Sequence, residues 1–284
     1  MKHLVIGALV VAGTASVAHA DPAQLRGSDT LYGAITDAVN QSGLSAEIQY
    51  LGGGSGTGEA ALRAGTQGIA PMSRALSPAA VEDLLNQGVT PVAHVIGLDG
   101  VSVYVKASET LAQLDIPTVR AIFTCTITDW SAVTGSGKSG PIAVFRRNDD
   151  SGTTDVFKSL VGITAFGSCV TPLATTVAIA EETSTNPAAI GYSGLSAERL
   201  GANKPLSIGR TAAGPFVAPS TSSIRDFSYP LARRLYVNAV SDGRTPSAAE
   251  EALLFNLTDR SFMDPIILAN EFVTCLPDED GGCP

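Results

Sequence analysis

The stretch 143–158, AVFRRNDDSGTTDVFK, sets two arginines and three carboxylates against a Ser-Gly-Thr-Thr run, with apolar residues at both ends. A strand-borne guanidinium at Arg147 offers two parallel N–H donors to an oxyanion. Asp149, two positions on, can hold that guanidinium in place. Ser151 and Thr153 bring hydroxyls, and Gly152 lets backbone N–H groups approach a ligand closely. Such a set recognises a tetrahedral oxyanion. The same residues also fit a surface ion pair followed by an ordinary serine N-cap, so this stretch alone leaves both readings open.

Other chemistries find less support. A Ser-His-Asp triad needs a histidine as general base, and beyond the first twenty residues the chain carries only His94, inside the apolar PVAHVIG. Around Ser55 the sequence GGSGT does not complete the G-x-S-x-G elbow of a hydrolase. The segment TGSGKSG, 134–140, imitates a nucleotide-binding P-loop, but Ala132 stands where the first glycine belongs. Gly140-Pro141 also stops any helix after it. That segment reads as a surface loop. One histidine and cysteines without C-x-x-C spacing give no metal centre, and no cofactor is expected.

The residues that could hold an anion sit on a repeated local plan of extended apolar segment, Gly/Ser/Thr loop and amphipathic helix. It recurs in LRGSDTLYGAITDAV (25–39), IQYLGGGSGTGEAALRAG (48–65) and IAVFRRNDDSGTTDVFKSL (142–160). A fourth copy, GIAPMSRALSPAAVEDLLNQG (68–88), has Ser77 as N-cap and Pro78 at the first helical position. Alternating strands and helices predict an α/β sheet, whose ligands sit where loops leave strands and enter helices. Each helix start presents N–H groups and the positive end of a dipole, so several aimed at one point cage an anion without net positive charge. TPVAHVIGLDGVSVYVK reads as two strands broken at Gly97–Gly100, a crossover between lobes. A second crossover is expected near DFSYPLARRLYVNAV (226–240), and the C-terminal region is predicted helical.

The opening MKHLVIGALVVAGTASVAHA has the build of a cleaved secretory signal, residues 1–20, and no cysteine follows it to carry a lipid. Export without a lipid anchor is expected. The remaining chain is long enough for two lobes. The full 284-residue sequence carries 16% charged and 44% hydrophobic residues and a formal charge of −9, which argues against nucleic acid as a partner. An even set of cysteines in an exported protein reads as disulfides, and local pairing favours Cys125–Cys169 and Cys275–Cys283.

Taken in order, GSDTL (27–31), YLGGGSGTG (50–58), IAPMSRALS (69–77), AIFTCTITDW (121–130), RRNDDSGTTDVF (146–157), AIGYSGL (189–195) and YPLARRLYV (229–237) resemble the periplasmic phosphate-binding proteins, substrate-binding components of phosphate ABC importers. At Cys125 that family more usually has glycine. The resemblance implies an α/β, two-lobed periplasmic binding protein fold, type II-like, with hinge strands between lobes. Residues 21–97 and 230–284 would form the first lobe and 98–229 the second. It implies a monomer that is not an enzyme, works in the periplasm, captures inorganic phosphate and passes it to an ABC permease of the inner membrane. Carried over residue by residue, Thr30, Leu31, Ser55 and Ser73 face the ligand from one lobe. Arg147, Ser151, Gly152 and Thr153 face it from the other, with Asp29, Arg74 and Asp149 in support. Ser73 departs from the family, where some members place an aspartate that accepts the phosphate proton. Asp29 is the nearest candidate to replace it. Another oxyanion on the same scaffold (sulfate or arsenate), a phosphate-ester hydrolase and an adhesion or sensor protein are the alternatives.

Overall fold

The computed structural model describes residues 21–148, 152–195, 201–241 and 246–276, so the expected signal segment lies outside the described residues. Strand β1 (Ala23–Gly27) pairs in parallel with β2 (Ile48–Gly53). Between them the chain makes a 3-10 turn (Asp29–Leu31) and helix α1 (Tyr32–Gln41). Helix α2 (Ser55–Ala64), strand β3 (Ile69–Met72) and helix α3 (Pro78–Asn86) follow. As predicted, Ser77 Oγ caps α3, accepting the Ala80 N–H at 3.2 Å, with Pro78 in the first turn.

Strand β4 (Thr90–Lys106) is a single 17-residue strand. The expected break at Gly97–Gly100 is absent, because those glycines serve close packing. A Cβ at Gly97 would come within 2.9 Å of Ile267 Cδ1, and one at Gly100 within 3.0 Å of Ile224 Cδ1. β4 does change partners there. Its first half lies antiparallel to β12 (Ala232–Ser241), from Thr90 opposite Ser241 to Gly100 opposite Ala232. Its second half pairs with β8 (Ala189–Gly194), beginning with Val101 opposite Gly194.

Between β4 and β8 the chain forms β5 (Gln113–Asp115), α4 (Ile116–Phe123), β6 (Ala143–Arg147), α5 (Gly152–Val161), β7 (Val170–Leu173) and α6 (Thr176–Thr185). After β8 come β9 (Asn203–Pro205), β10 (Ser207–Gly209), β11 (Phe216–Val217) and α7 (Thr221–Arg225). Helices α8 (Ala248–Thr258) and α9 (Arg260–Ala269) follow β12. The main sheet runs β3-β12-β4-β8-β6-β7, with β9 also pairing β4, and β11-β10-β5 form a small separate sheet.

Two cores flank the partner switch in β4. Leu25, Ile35, Tyr50, Ile69, Leu235, Val237, Leu253 and Ile267 pack into one. Val101, Val103, Phe123, Val144, Phe157, Ile190, Tyr192 and Ile208 pack into the other. In the second, the Phe157 and Tyr192 rings stack with centroids 3.9 Å apart. After α9 the chain returns to this second core, where Val273 and Leu98 exchange backbone hydrogen bonds of 2.8 and 2.9 Å.

Cys125 and Cys169 form a disulfide. Cys275 is buried, and Cys283, its expected partner, lies outside the described residues. The P-loop imitation at 134–140 is a turn with no helix after it. There Lys138 pairs with Glu109 at 2.5 Å and lies 4.2 Å from the Trp130 ring centroid.

Candidate functional site at the junction of the two cores

The carboxyl ends of β1, β2, β3 and β6 deliver four loops to one region. The first loop begins at Gly27, where a Cβ would lie 2.2 Å from the Pro71 carbonyl oxygen, so only glycine allows β1 this close to β3. Ser28 Oγ then accepts the Thr30 N–H at 3.2 Å, and Tyr50 Oη donates to the Ser28 carbonyl at 2.8 Å. Burial, aided by the negative charge of Asp29, raises the Tyr50 pKa well above its usual value and keeps this phenol a donor. Leu31 is fully buried in the core, and its N–H goes to the Ser28 carbonyl at 3.1 Å. The ligand-facing N–H inferred for Leu31 therefore has a partner within its own turn.

In the second loop Gly52, Gly53 and Gly54 all have positive φ, 66°, 95° and 100°. This left-handed run costs other residues strain and admits glycine freely. It turns the Gly53 N–H onto Asp29 Oδ1 at 2.8 Å and starts α2 at Ser55, with no side chain capping the helix. Ser55 and Ser73 are both fully buried. Ser55 Oγ accepts the Ser73 N–H at 3.1 Å and lies 3.2 Å from Ser73 Oγ. Arg74 lies away from this pair of hydroxyls, donating to Glu59 Oε2 at 2.5 Å. Ser77 donates to the same carboxylate through N and Oγ, both at 2.9 Å. Burial alone would raise the Glu59 pKa, but the bonds from Arg74 and Ser77 outweigh it and lower the value.

From β6, Arg147 enters the junction only 3% exposed. Its Nη2 donates to Asp29 Oδ2 at 3.0 Å, so Asp29 bridges the two cores instead of capping a helix. Arg147 Nε has no partner among the described residues. Arg146, its neighbour, lies over the Phe166 ring at 4.8 Å and donates to the Arg147 carbonyl. Thr154 Oγ1 donates to the Arg147 carbonyl at 3.2 Å and lies 2.8 Å from Tyr192 Oη. Gly152 opens α5, and the buried Thr153 Oγ1 meets Thr30 Oγ1 at 2.8 Å across the junction. Asp149 and Ser151 lie outside the described residues.

One further arginine belongs here. Arg233 of β12, 5% exposed, donates through Nη1 to Thr153 Oγ1 at 3.1 Å and is held by the buried Asp99 of β4. The segment YPLARRLYV contains it, but nothing in that segment distinguishes Arg233 from Arg234.

Chemically, the region supplies hydroxyls, a guanidinium whose Nε–H has no partner among the described residues and the start of α5, all suited to the oxygens of an anion. His94 lies on the β12-paired half of β4, opposite Val237 and five residues before Asp99. That spacing is about 17 Å along a strand, too far to activate a hydroxyl at the junction. Among the described residues no cluster of three His, Cys, Asp or Glu forms a metal site.

A family profile described as a PBP superfamily domain matches residues 12–256. The chain belongs to the PBP superfamily. Within it, the phosphate-binding protein PstS of Pseudomonas aeruginosa strain PAO1 is 26% identical over 226 residues, covering 74% of this chain and 70% of that protein. The solved ABC-type phosphate transport receptor from Vibrio cholerae superposes with a TM-score of 0.72 at 19% identity, covering 88% of this PBP superfamily chain and 99% of that one. It establishes the two-lobed α/β fold. A shorter similarity, 46% identity over 43 residues, links 15% of this chain to 11% of alkaline phosphatase L of P. aeruginosa strain UCBPP-PA14.

Proposed function

We propose that this PBP superfamily protein captures inorganic phosphate between its two lobes and delivers it to an ABC permease. The carrying observation is the meeting of Thr30 with Thr153, and of Asp29 with Arg147, where groups from both cores face one another. An oxyanion held there draws donors from both sides, and its binding favours the closed arrangement. The proposed ligand set is Thr30, Ser55, Ser73, Arg147, Gly152 and Thr153, with Ser151 and Asp149 contributing from the same loop. The likeness to a relative named for phosphate binding supports this anion over others. The proposed lobes are residues 21–97 with 230–284, and 98–229, hinged where β4 changes partners and where β12 begins. Cleavage of residues 1–20 on export to the periplasm completes the reading.

Calorimetric titration with phosphate, sulfate and arsenate tests it. Phosphate is expected to bind tightly with one site, and sulfate more weakly by orders of magnitude. Equal binding of sulfate would remove phosphate as the cargo. The short similarity to an alkaline phosphatase favours a hydrolytic reading, for which p-nitrophenyl phosphate is the probe. No turnover is expected, because His94 stands too far from the hydroxyls to act as a base. Turnover lost in His94→Ala would establish the hydrolase instead.

A further inference from the structure

Arg233 and Asp99 face each other directly in the β12–β4 register, at the end of their shared ladder, just before β4 passes to β8. Both are buried, at 5% and 1% exposure. Asp99 Oδ2 accepts Arg233 Nε at 3.0 Å and Nη2 at 2.5 Å, while Oδ1 accepts the N–H groups of Gly100 at 2.8 Å and Leu195 at 3.3 Å. The carboxylate is thus held by both strands and by the residue that follows β8. β8 can approach because Gly194 has no side chain. A Cβ there would lie 3.0 Å from Asp99 Oδ2, 3.5 Å from Arg233 Nη2 and 3.7 Å from Thr30 Cγ2.

With two of its nitrogens committed to Asp99, Arg233 presents Nη1 to Thr153 Oγ1 at 3.1 Å. A guanidinium only donates, so the direction of this bond is fixed and the hydroxyl must accept. A hydroxyl has a single proton, and that proton is left for Thr30 Oγ1, 2.8 Å away, or for a ligand oxygen. Resting on the phosphate reading above, we infer that Arg233, braced by Asp99, is a positioning residue of the anion site that turns the Thr153 hydroxyl into an obligate donor. The anion oxygen facing Thr153 must then accept, so any proton the phosphate carries is donated to a group other than Thr153. Asp99 balances the charge of Arg233, so the pair orients a donor without adding net positive charge.

The test is a double-variant cycle read by calorimetry with inorganic phosphate, using the wild type, Arg233→Lys, Thr153→Val and the combined variant. Lysine keeps a cation for Asp99 but has one nitrogen where the guanidinium uses three, so it cannot hold Asp99 and reach Thr153 as Arg233 does. Arg233→Lys is expected to weaken phosphate binding roughly tenfold or more, and Thr153→Val at least as much. The combined variant should be no weaker than Thr153→Val alone, because Arg233 acts through that hydroxyl. Melting without phosphate provides the fold control. If Arg233→Lys does not fold, Asp99→Asn takes its place in the cycle with the same expected non-additivity. Additive losses, or unchanged affinity in a folded Arg233→Lys, would overturn the inference while leaving phosphate capture standing. A wild type that binds no phosphate would remove the functional reading and this inference with it.

Discussion

At Arg147 a buried charge has one carboxylate across the junction and an N–H, at Nε, without a partner among the described residues. If phosphate is the missing partner, Arg147→Ala is expected to cost about 3 kcal/mol or more of binding free energy by calorimetry. Arg146→Ala is expected to bind nearly as the wild type does, since that side chain lies over Phe166. Equal losses at both positions would show that Arg147 is not the anion's arginine. Asp29 presents a sharper question. Each of its oxygens already accepts one bond, from Gly53 N–H and Arg147 Nη2, and each keeps a lone pair. Beside a dianion such a carboxylate repels, unless the anion donates a proton to it. Monohydrogen phosphate has that proton and sulfate does not. Asp29→Asn is therefore expected to narrow the phosphate-to-sulfate affinity ratio, chiefly by improving sulfate, as competitive calorimetry would read. An unchanged ratio would leave the Ser55–Ser73 pair to discriminate alone. The sequence marked Asp29 as a candidate proton acceptor only through the resemblance, since an aspartate before a helix serves equally as a cap. What it could not supply was the position of Gly53 and Arg147 around it.

Helix α4 shows how a helix can close without glycine at its left-handed end. The N–H of Cys125 donates to the Ile122 carbonyl at 3.1 Å and that of Thr126 to the Ala121 carbonyl at 2.8 Å, a Schellman ending. Its left-handed position, φ 63°, is where glycine usually stands, and this chain puts Cys125 there and ties it to Cys169, 44 residues on. The link constrains the unfolded chain by about 4 kcal/mol in the loop-entropy view, while the cysteine at positive φ costs about 1 kcal/mol. Cys125→Gly with Cys169→Ser is expected to unfold in urea at lower stability than the wild type, yet about 1 kcal/mol above Cys125→Ser with Cys169→Ser. Equal stabilities of the two double variants would mean that the backbone there bears no strain. Strand-loop-helix units were legible because each is contiguous: apolar run, small residues, N-cap and helix lie within twenty residues. The same contiguity made Arg147 and Thr153 readable. Arg233 escaped because its partner Asp99 is 134 residues away, and two adjacent arginines on a strand fit either register. The glycines of β4 misled for a related reason. Their role is to admit Ile224 and Ile267, which are remote in sequence.

At the scale of the whole molecule, the described contacts Thr30–Thr153 and Asp29–Arg147 make this a closed arrangement. If phosphate drives closure, the radius of gyration from small-angle scattering is expected to fall on adding it, and to stay put on adding chloride. A radius unchanged at saturating phosphate would argue against hinge motion. Strand β12 holds a second consequence. It lies between β3 and β4, so Ala232 must return to Gly100 and Ala239 to Ile69 before that part of the sheet exists. The ladder of β6 with β7 and β8 needs no residue beyond Gly194. During synthesis, the intervening half can begin to fold while β3 and β4 still lack the strand between them. Until β12 arrives, both present unpaired edges of the kind that recruit other chains. The edges of β3 and of the first half of β4 thus stay open from the emergence of Gly100 until that of Ser241.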